Sequence, residues 1–362
     1  MKLAVVVGAR PNFVKLAALY RPLGEWTDMV VIHTGQHYDD AMSAMLFTEL
    51  DLPLPDVNLG VGSGTHSEQT ARIMLGLEPV LVDLAPDLVV LVGDVNSTLA
   101  GALVAAKLQM PTAHVEAGLR SGDRGMPEEI NRLLVDHVSD LLFAPSDDAV
   151  TNLTREGIDP GTIHLVGNVM IDTLVAALPK ARARASEVRQ RFGVPAEFAL
   201  LTLHRPETVD DPSVFGAVMG AVAELASELP VVFPVHPRVG ADARQLAAGA
   251  PNLVLTDPLG YLDFIALEDT ASVVVTDSGG VQEETSFLGV PCVTTRVSTE
   301  RPVTCTLGTN RLVGHDRTRI VNDTRAARAE SRKPATIPLW DGQTGGRISQ
   351  VVRTALERVS PP

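Results

Sequence analysis

Cysteine is scarce in this chain, with only Cys292 and Cys305 among 362 residues. Neither sits in a CxxC or a Cys/His ligand pattern, so a disulfide scaffold and a zinc site are both disfavoured and no metal is expected. Positive charge is in deficit: 30 Lys and Arg stand against 44 Asp and Glu, a formal net of −14. A duplex-binding surface needs a concentrated basic face, so no nucleic-acid partner is expected, although a local basic pocket for phosphate is compatible with this balance. Long apolar runs are missing too. Nothing approaches the roughly 18 residues of a membrane span, and the opening MKLAVVVGARPN breaks at Gly8 into Arg10-Pro11, unlike a signal peptide. The expectation is a cytoplasmic, enzyme-like protein with no membrane insertion. The GxGxxG dinucleotide fingerprint is absent, and no cofactor is expected.

What is present is a regular alternation. Short β-branched runs occur at Leu3–Val7, Met29–His33, Leu88–Val92, Thr112–Val115, Leu141–Phe143 and Ile163–Val166. A second set follows at Phe198–Leu203, Val231–Val235, Leu253–Thr256, Val273–Thr276 and Cys292–Thr294. Continuous apolar strands separated by helical stretches indicate parallel sheets covered on both faces. The length suits two domains. We therefore expect an α/β chain of two Rossmann-like, doubly wound domains, residues 1–167 and 168–345. In residues 346–362, Ile348, Val351, Val352, Ala355, Leu356 and Val359 recur at helical spacing. This helix either packs back on the first domain or lies on the surface of the second.

Ligands of doubly wound sheets bind beyond the carboxyl ends of the strands, so the segments just after strands carry the information. The most telling is VVVTDSGGVQEETSFLG, residues 273–289. A strand stops at Asp277-Ser278-Gly279-Gly280 and a helix begins, which presents backbone N–H groups and a helix dipole to a phosphate. Glu284, one turn on, is placed to accept the hydroxyls of a ribose. An ordinary strand–helix turn with an acidic helix start would look similar. Arg10 and Lys15 follow the first strand and could neutralise phosphate. Asp94 and Glu116 each follow a strand, and Glu128 or Glu129 opens a helix behind Pro127. Singly, these acids read as helix caps or partners of Arg120 and Arg132; together they read as a proton-transfer site. His204 and His236 sit at two strand mouths in the half with the glycine turn, suited to a diphosphate or to acid catalysis. Arg301 is a further phosphate clamp, and Phe264 stacks on a base or belongs to the core. His66, His137, His164 and His315 have no partner pattern.

In this order, GARPNFVK, TGQHYDDAMS, GDVNST, HVEAGLRSGD, MPEEINR, LTLHRPE, PVHPR, TDSGGVQEE, STERP and DGQTGGRI resemble the non-hydrolysing UDP-N-acetylglucosamine 2-epimerases over nearly the whole chain. The resemblance implies a glycosyltransferase-B-like pair of domains with the active site in the interdomain cleft, a last helix crossing back to the first domain, a UDP-sugar substrate and a homodimer. It implies catalytic roles for Asp94, Glu116 and Glu128. Arg10, Lys15, His204, His236, Phe264, Ser278, Gly279, Gly280, Glu284 and Arg301 match UDP-contacting positions. Gln36, His37, Glu128 and Arg205 match parts of a second, allosteric substrate site, but the stretch around Ser63 to His66 lacks the Arg-Gln of activated members. Ala9 and Asn12 replace the commoner Thr and Glu, and Pro206 and Thr208 stand where many members have Arg and Asn.

The chemistry implied is elimination and re-addition. The C2 proton of the sugar is not acidic and no dinucleotide fingerprint offers oxidation, so UDP leaves C1 as a carboxylate takes the C2 proton. The 2-acetamidoglucal then takes UDP back while a proton adds to the other face. Asp94 and Glu116 are expected to transfer protons with Glu128 assisting, their faces unassigned, and His204 to contact the leaving phosphate and donate a proton. The competing readings are a 2-epimerase of a modified sugar such as UDP-2,3-diacetamido-glucuronate, a hydrolysing epimerase, a GT-B glycosyltransferase and a non-enzymatic nucleotide-sugar sensor. Envelope polysaccharide, capsule and secondary metabolite are all compatible destinations.

Overall fold

The computed structural model describes residues 1–35, 40–235, 239 and 250–359. The chain divides into two compact units, Met1–Thr173 with Pro338–Pro362, and Leu174–Ile337.

In the first unit, β1 (Lys2–Val7), α1 (Arg10–Gly24), β2 (Asp28–His33), α2 (Asp40–Glu49), β3 (Val57–Asn58), α3 (His66–Leu84), β4 (Leu88–Val92), α4 (Asn96–Lys107), β5 (Thr112–Val115), α5 (Pro127–Val138), β6 (Leu141–Ala144), α6 (Asp147–Arg155) and β7 (Ile163–Leu165) follow one another. All strand pairs are parallel, in the order β3-β2-β1-β4-β5-β6-β7. The central strand β4, LVVLV, is buried along its whole length, which explains an apolar run rather than an alternating one. Each such side chain contributes about 1.5–3 kcal/mol by leaving water. Helix α7 (Val169–Arg191) contains the division between the units.

The second unit continues with β8 (Ala199–Thr202), α8 (Pro206–Val209), α9 (Pro212–Ala226), β9 (Val231–Pro234), β10 (Leu253–Thr256), α10 (Tyr261–Thr270), β11 (Val273–Thr276), α11 (Gly279–Leu288), β12 (Cys292–Thr294), α12 (Pro302–Thr306), β13 (Asn310–Leu312) and α13 (Arg317–Arg328). Its sheet is also parallel, β10-β9-β8-β11-β12-β13. Phe215, Val218 and Val222 of α9 and Ile320 of α13 pack on Leu201, Val273, Val275 and Val293 of the sheet. The sequence pattern missed the short edge strands β3 and β13, which carry too few residues for a readable period.

The last helix, α14 (Thr344–Val359), belongs to the first unit. Ile348, Val352 and Leu356, four residues apart, are buried. Trp26 donates through Nε1 to Ser349 Oγ at 2.8 Å, and Ser349 Oγ donates to the Pro22 carbonyl at 2.7 Å. Gly345 is needed here: a Cβ on it would lie 2.1 Å from the Ala18 carbonyl oxygen. Among the described residues no helix is long and apolar enough to cross a membrane.

The strand order reverses direction between β1 and β4 in the first unit and between β8 and β11 in the second. Open α/β sheets bind ligands at the carboxyl edge of such switch points. The four segments after these strands are Gly8–Lys15, Gly93–Asn96, His204–Glu207 and Asp277–Gly280.

Candidate functional site

At the first switch point, Asn12 ties the two strand ends together. Its Oδ1 accepts from the N–H groups of Gly8 and Ala9 at 3.1 and 2.9 Å, and its Nδ2 donates to the Val92 carbonyl at 2.9 Å. The departure noted at this position is thus a backbone clamp. One turn along α1, buried Lys15 is ion-paired with Glu116. Gly93 makes room for the pair: a Cβ there would lie 2.8 Å from Lys15 Nζ.

Glu116 follows β5 with φ of 77°, the left-handed region. Such a conformation in a non-glycine residue costs about 1–3 kcal/mol, and outliers of this kind collect at functional sites. Backbone bonds hold it, because the N–H groups of Glu116 and Ala117 both donate to the Phe143 carbonyl, at 3.1 and 3.0 Å.

Asp94 follows β4. Its Oδ2 lies 2.5 Å from Nη1 of Arg132, which is 2% exposed. Arg132 also reaches Glu129 Oε2 through Nη2 at 2.6 Å, and Glu129 accepts from the Ser121 and Gly122 N–H groups at 3.0 and 2.9 Å. Burial opposes ionisation of Glu129, but these donors more than offset it and hold its carboxyl below the ordinary range. Of the two acids opening α5, Glu129 is therefore structural. Glu128 is half-buried, and its side chain makes no hydrogen bond or ion pair with the described residues. Asn131 donates to the Asp94 carbonyl at 2.8 Å. His66, which has no partner pattern in the sequence, lies 3.1 Å through Nδ1 from Asn96 Nδ2. Arg10, at the start of α1, is exposed.

At the second switch point Asp277 is fully buried and braces the turn. It accepts from the N–H groups of His204 and Arg205 at 3.0 and 2.9 Å, and His204 Nδ1 is 3.1 Å from its Oδ1. Desolvation pushes the Asp277 carboxyl up, but the His204 ring and these N–H donors outweigh it and leave it below the ordinary range. The His204 ring keeps 41% of its side-chain surface exposed. Ser278 precedes α11, whose first residues Gly279 and Gly280 open the helix without a side-chain cap. Those orphan N–H groups are free to face a ligand oxygen. A Cβ on Gly279 would lie 2.5 Å from Arg301 Nη1.

Arg301 does not stand as an isolated clamp. It pairs with Glu283, through Nε at 2.7 Å, and with Glu300. Glu300 also lies 3.4 Å from Arg205 and 3.0 Å from Arg296. Glu284 is buried and accepts from Tyr261 Oη at 3.2 Å. Desolvation raises its carboxyl to about 8, with Glu283 adding to the rise and the Tyr261 bond opposing it. Glu268, wholly buried on α10, is also raised well above the ordinary range by desolvation and by Glu284. Phe264, on the same helix, is half-buried. Gln36, His37 and His236 lie outside the described residues.

A family model described as UDP-N-acetylglucosamine 2-epimerase matches residues 24–353. The chain belongs to the UDP-N-acetylglucosamine 2-epimerase family. It is 41% identical to the UDP-N-acetylglucosamine 2-epimerase of Methanocaldococcus jannaschii, over 97% of this chain and 99% of that one. It is 40% identical to the UDP-2,3-diacetamido-2,3-dideoxy-D-glucuronate 2-epimerase of Pseudomonas aeruginosa, over 97% of this chain and 99% of that one. Its structure resembles the crystal structure of the M. jannaschii UDP-GlcNAc 2-epimerase in complex with UDP-GlcNAc and UDP, with a TM-score of 0.92, 41% identity and coverage of 98% and 100% of the two chains.

Within this epimerase-family chain the sequence pattern picked out the residues at strand mouths and missed their supports. Asp136, Glu283, Glu300 and Tyr261 carry no local spacing that marks them; each meets a distant partner through tertiary packing, and Glu268 is marked only by its burial.

Proposed function

We propose that the protein interconverts UDP-N-acetylglucosamine and UDP-N-acetylmannosamine by elimination and re-addition of UDP. The C1–O bond breaks with both electrons leaving on the diphosphate, the C2–H bond supplies the electrons of the new C1=C2 bond, and the C2 proton passes to a carboxylate. Return of the diphosphate oxygen to C1 and delivery of a proton to the opposite face of C2 complete the inversion. Atoms and electrons balance with no further reactant.

Asp94 and Glu116 are the proton-transfer groups in this reading, and half-buried Glu128 assists. The observation that carries it is their placement after the adjacent strands β4 and β5, beside the first switch point, each paired with a buried cation. Paired in this way, Lys15 offsets the cost of burying Glu116, and Arg132 holds the partly exposed Asp94 in place. The nucleotide belongs to the second unit: the Ser278–Gly280 helix start takes phosphate oxygens, Glu284 takes the ribose hydroxyls, Phe264 the base, and His204 and Arg301 the diphosphate, with Arg10 and His236 as further contacts. Gln36, His37 and Arg205 match only parts of a second, allosteric substrate site, since the stretch around Ser63 to His66 lacks its Arg-Gln. Purified protein with UDP-N-acetylglucosamine is expected to yield an equilibrium mixture of the two UDP-sugars; release of free N-acetylmannosamine would replace this reading with a hydrolytic one.

A modified substrate is the second reading, favoured by the 40% identity to the P. aeruginosa glucuronate-type epimerase. A panel of UDP-sugars separates the two by relative kcat/KM. A cytoplasmic homodimer is part of the same proposal, and sedimentation is expected to give twice the 38.5 kDa chain mass.

A further inference from the structure

We infer that His114, hydrogen-bonded at both ring nitrogens, fixes the backbone beneath Asp94 and Glu116, and so is a positioning residue for the proton-transfer carboxylates, a role that rests on the function proposed above. The side chain is fully buried on β5. Its Nε2 lies 2.8 Å from the Gly93 carbonyl oxygen and its Nδ1 lies 2.6 Å from Asp136 Oδ1. A carbonyl has no proton to give, so Nε2 must donate. Asp136 already accepts from the Gly118 N–H at 3.0 Å and lies 2.8 Å from Arg120 Nη1 through its other oxygen. These are the partners of an ionised carboxylate, so Nδ1 must donate as well. A histidine that donates from both nitrogens is positively charged.

The charges close locally. Asp136 of α5 and His114 of β5 form one pair, and Arg120 of the β5–α5 connection bridges Asp136 to Glu156 after α6, 2.7 Å away. Beside Gly93 stands the pair of Lys15 on α1 with Glu116 just after β5, and next in sequence the Asp94–Arg132–Glu129 cluster with α5. Burial alone would push the Asp136 carboxyl up; His114 and then Arg120 more than offset it and hold it below the ordinary range.

The consequence is geometric. Gly93 precedes Asp94, and its carbonyl is pinned by the ring while its N–H donates to the Val115 carbonyl at 3.1 Å. Gly118, two residues past Glu116, is pinned by Asp136 at φ of 83°. The left-handed turn at Glu116 is thereby held from both ends, by Phe143 on one side and by the His114–Asp136 pair on the other.

The test uses the full-length protein labelled with nitrogen-15 histidine. The ring signals of His114, identified by their loss in His114→Gln, are expected to show that both nitrogens carry a proton. A ring with one unprotonated nitrogen overturns the inference, and this arm needs no turnover, so it stands whether or not the proposed reaction is found. In the kinetic arm, His114→Gln is expected to lower kcat about 10²-fold, the scale of a misplaced reacting group, while KM and UDP affinity stay within about twofold. Unchanged kcat, or a rise in KM alone, contradicts the positioning role. Should the variant fail to fold, the unaltered protein still decides the charge, its ring signals being assigned by through-bond correlation.

Discussion

The ammonium of Lys15 and the carboxylate of Glu116 form an ion pair in which neither side chain is more than 7% exposed. Removing one partner of such a pair strands the other in a poorly solvating place, at a cost of about 3–5 kcal/mol. Lys15→Met is expected to lose stability on that scale in urea unfolding, and Lys15→Met/Glu116→Gln to recover most of it. A cost below about 1 kcal/mol, the range of exposed pairs, would mean that the pair is not buried as described.

Asp94 can be tested with little risk to the fold. Arg132 keeps both of its contacts with Glu129 when the Asp94 charge is removed. Asp94→Asn is therefore expected to fold and to lose at least ~10²-fold in kcat, the scale of lost acid–base catalysis. Near-normal turnover rules Asp94 out as a proton-transfer group.

Nucleotide binding is expected to release a proton. Desolvation holds free Glu284 near 8, so it is largely neutral at lower pH. Ribose hydroxyls donate to the ionised form, which lowers its pKa in the complex. With the higher pKa in the free protein, UDP affinity must rise with pH and level off above about 8, by up to tenfold per unit. For the same reason the folded free protein holds this proton longer than the unfolded chain, and that contribution to stability is lost as pH rises from 4.5 to about 8. Calorimetric titration in buffers of differing ionisation enthalpy measures the proton count. Glu284→Gln is expected to leave only the slope that belongs to the diphosphate itself; an unaltered slope contradicts the assignment.

The sequence was most readable where chemistry coincides with chain order. Parallel strands gave themselves away through unbroken apolar runs, and Asp94, Glu116, His204 and the Ser278–Gly280 turn fall just after strands, which places Asp94, His204 and the turn at switch points, and Glu116 one strand away, once the strand order is known. The supports were not readable. Glu129 and Glu128 are adjacent acids of one type, and only the Arg132 and Ser121 contacts separate them. Arg301 follows β12 as a phosphate ligand would, yet its carboxylate partners lie at Glu283 and Glu300, one of them on another helix. His114 and Asp136 are 22 residues apart and meet only because α5 returns against β5.

The two thiols should behave differently. Cys292 is buried on β12 and desolvation pushes it up to about 12, while Cys305 is exposed. A disulfide reagent is expected to titrate one thiol in the native protein and two in denaturant, since the thiolate is the reactive form. Rapid native modification of both would contradict the packing of β12.

Exchange at the sugar is the most direct test of the account. Incubated in D2O with UDP-N-acetylglucosamine and no acceptor, the protein is expected to place deuterium at C2 of both UDP-sugars, because the proton taken by a carboxylate is replaced from solvent. Formation of the epimer with the original hydrogen retained at C2 would contradict proton abstraction by Asp94 or Glu116.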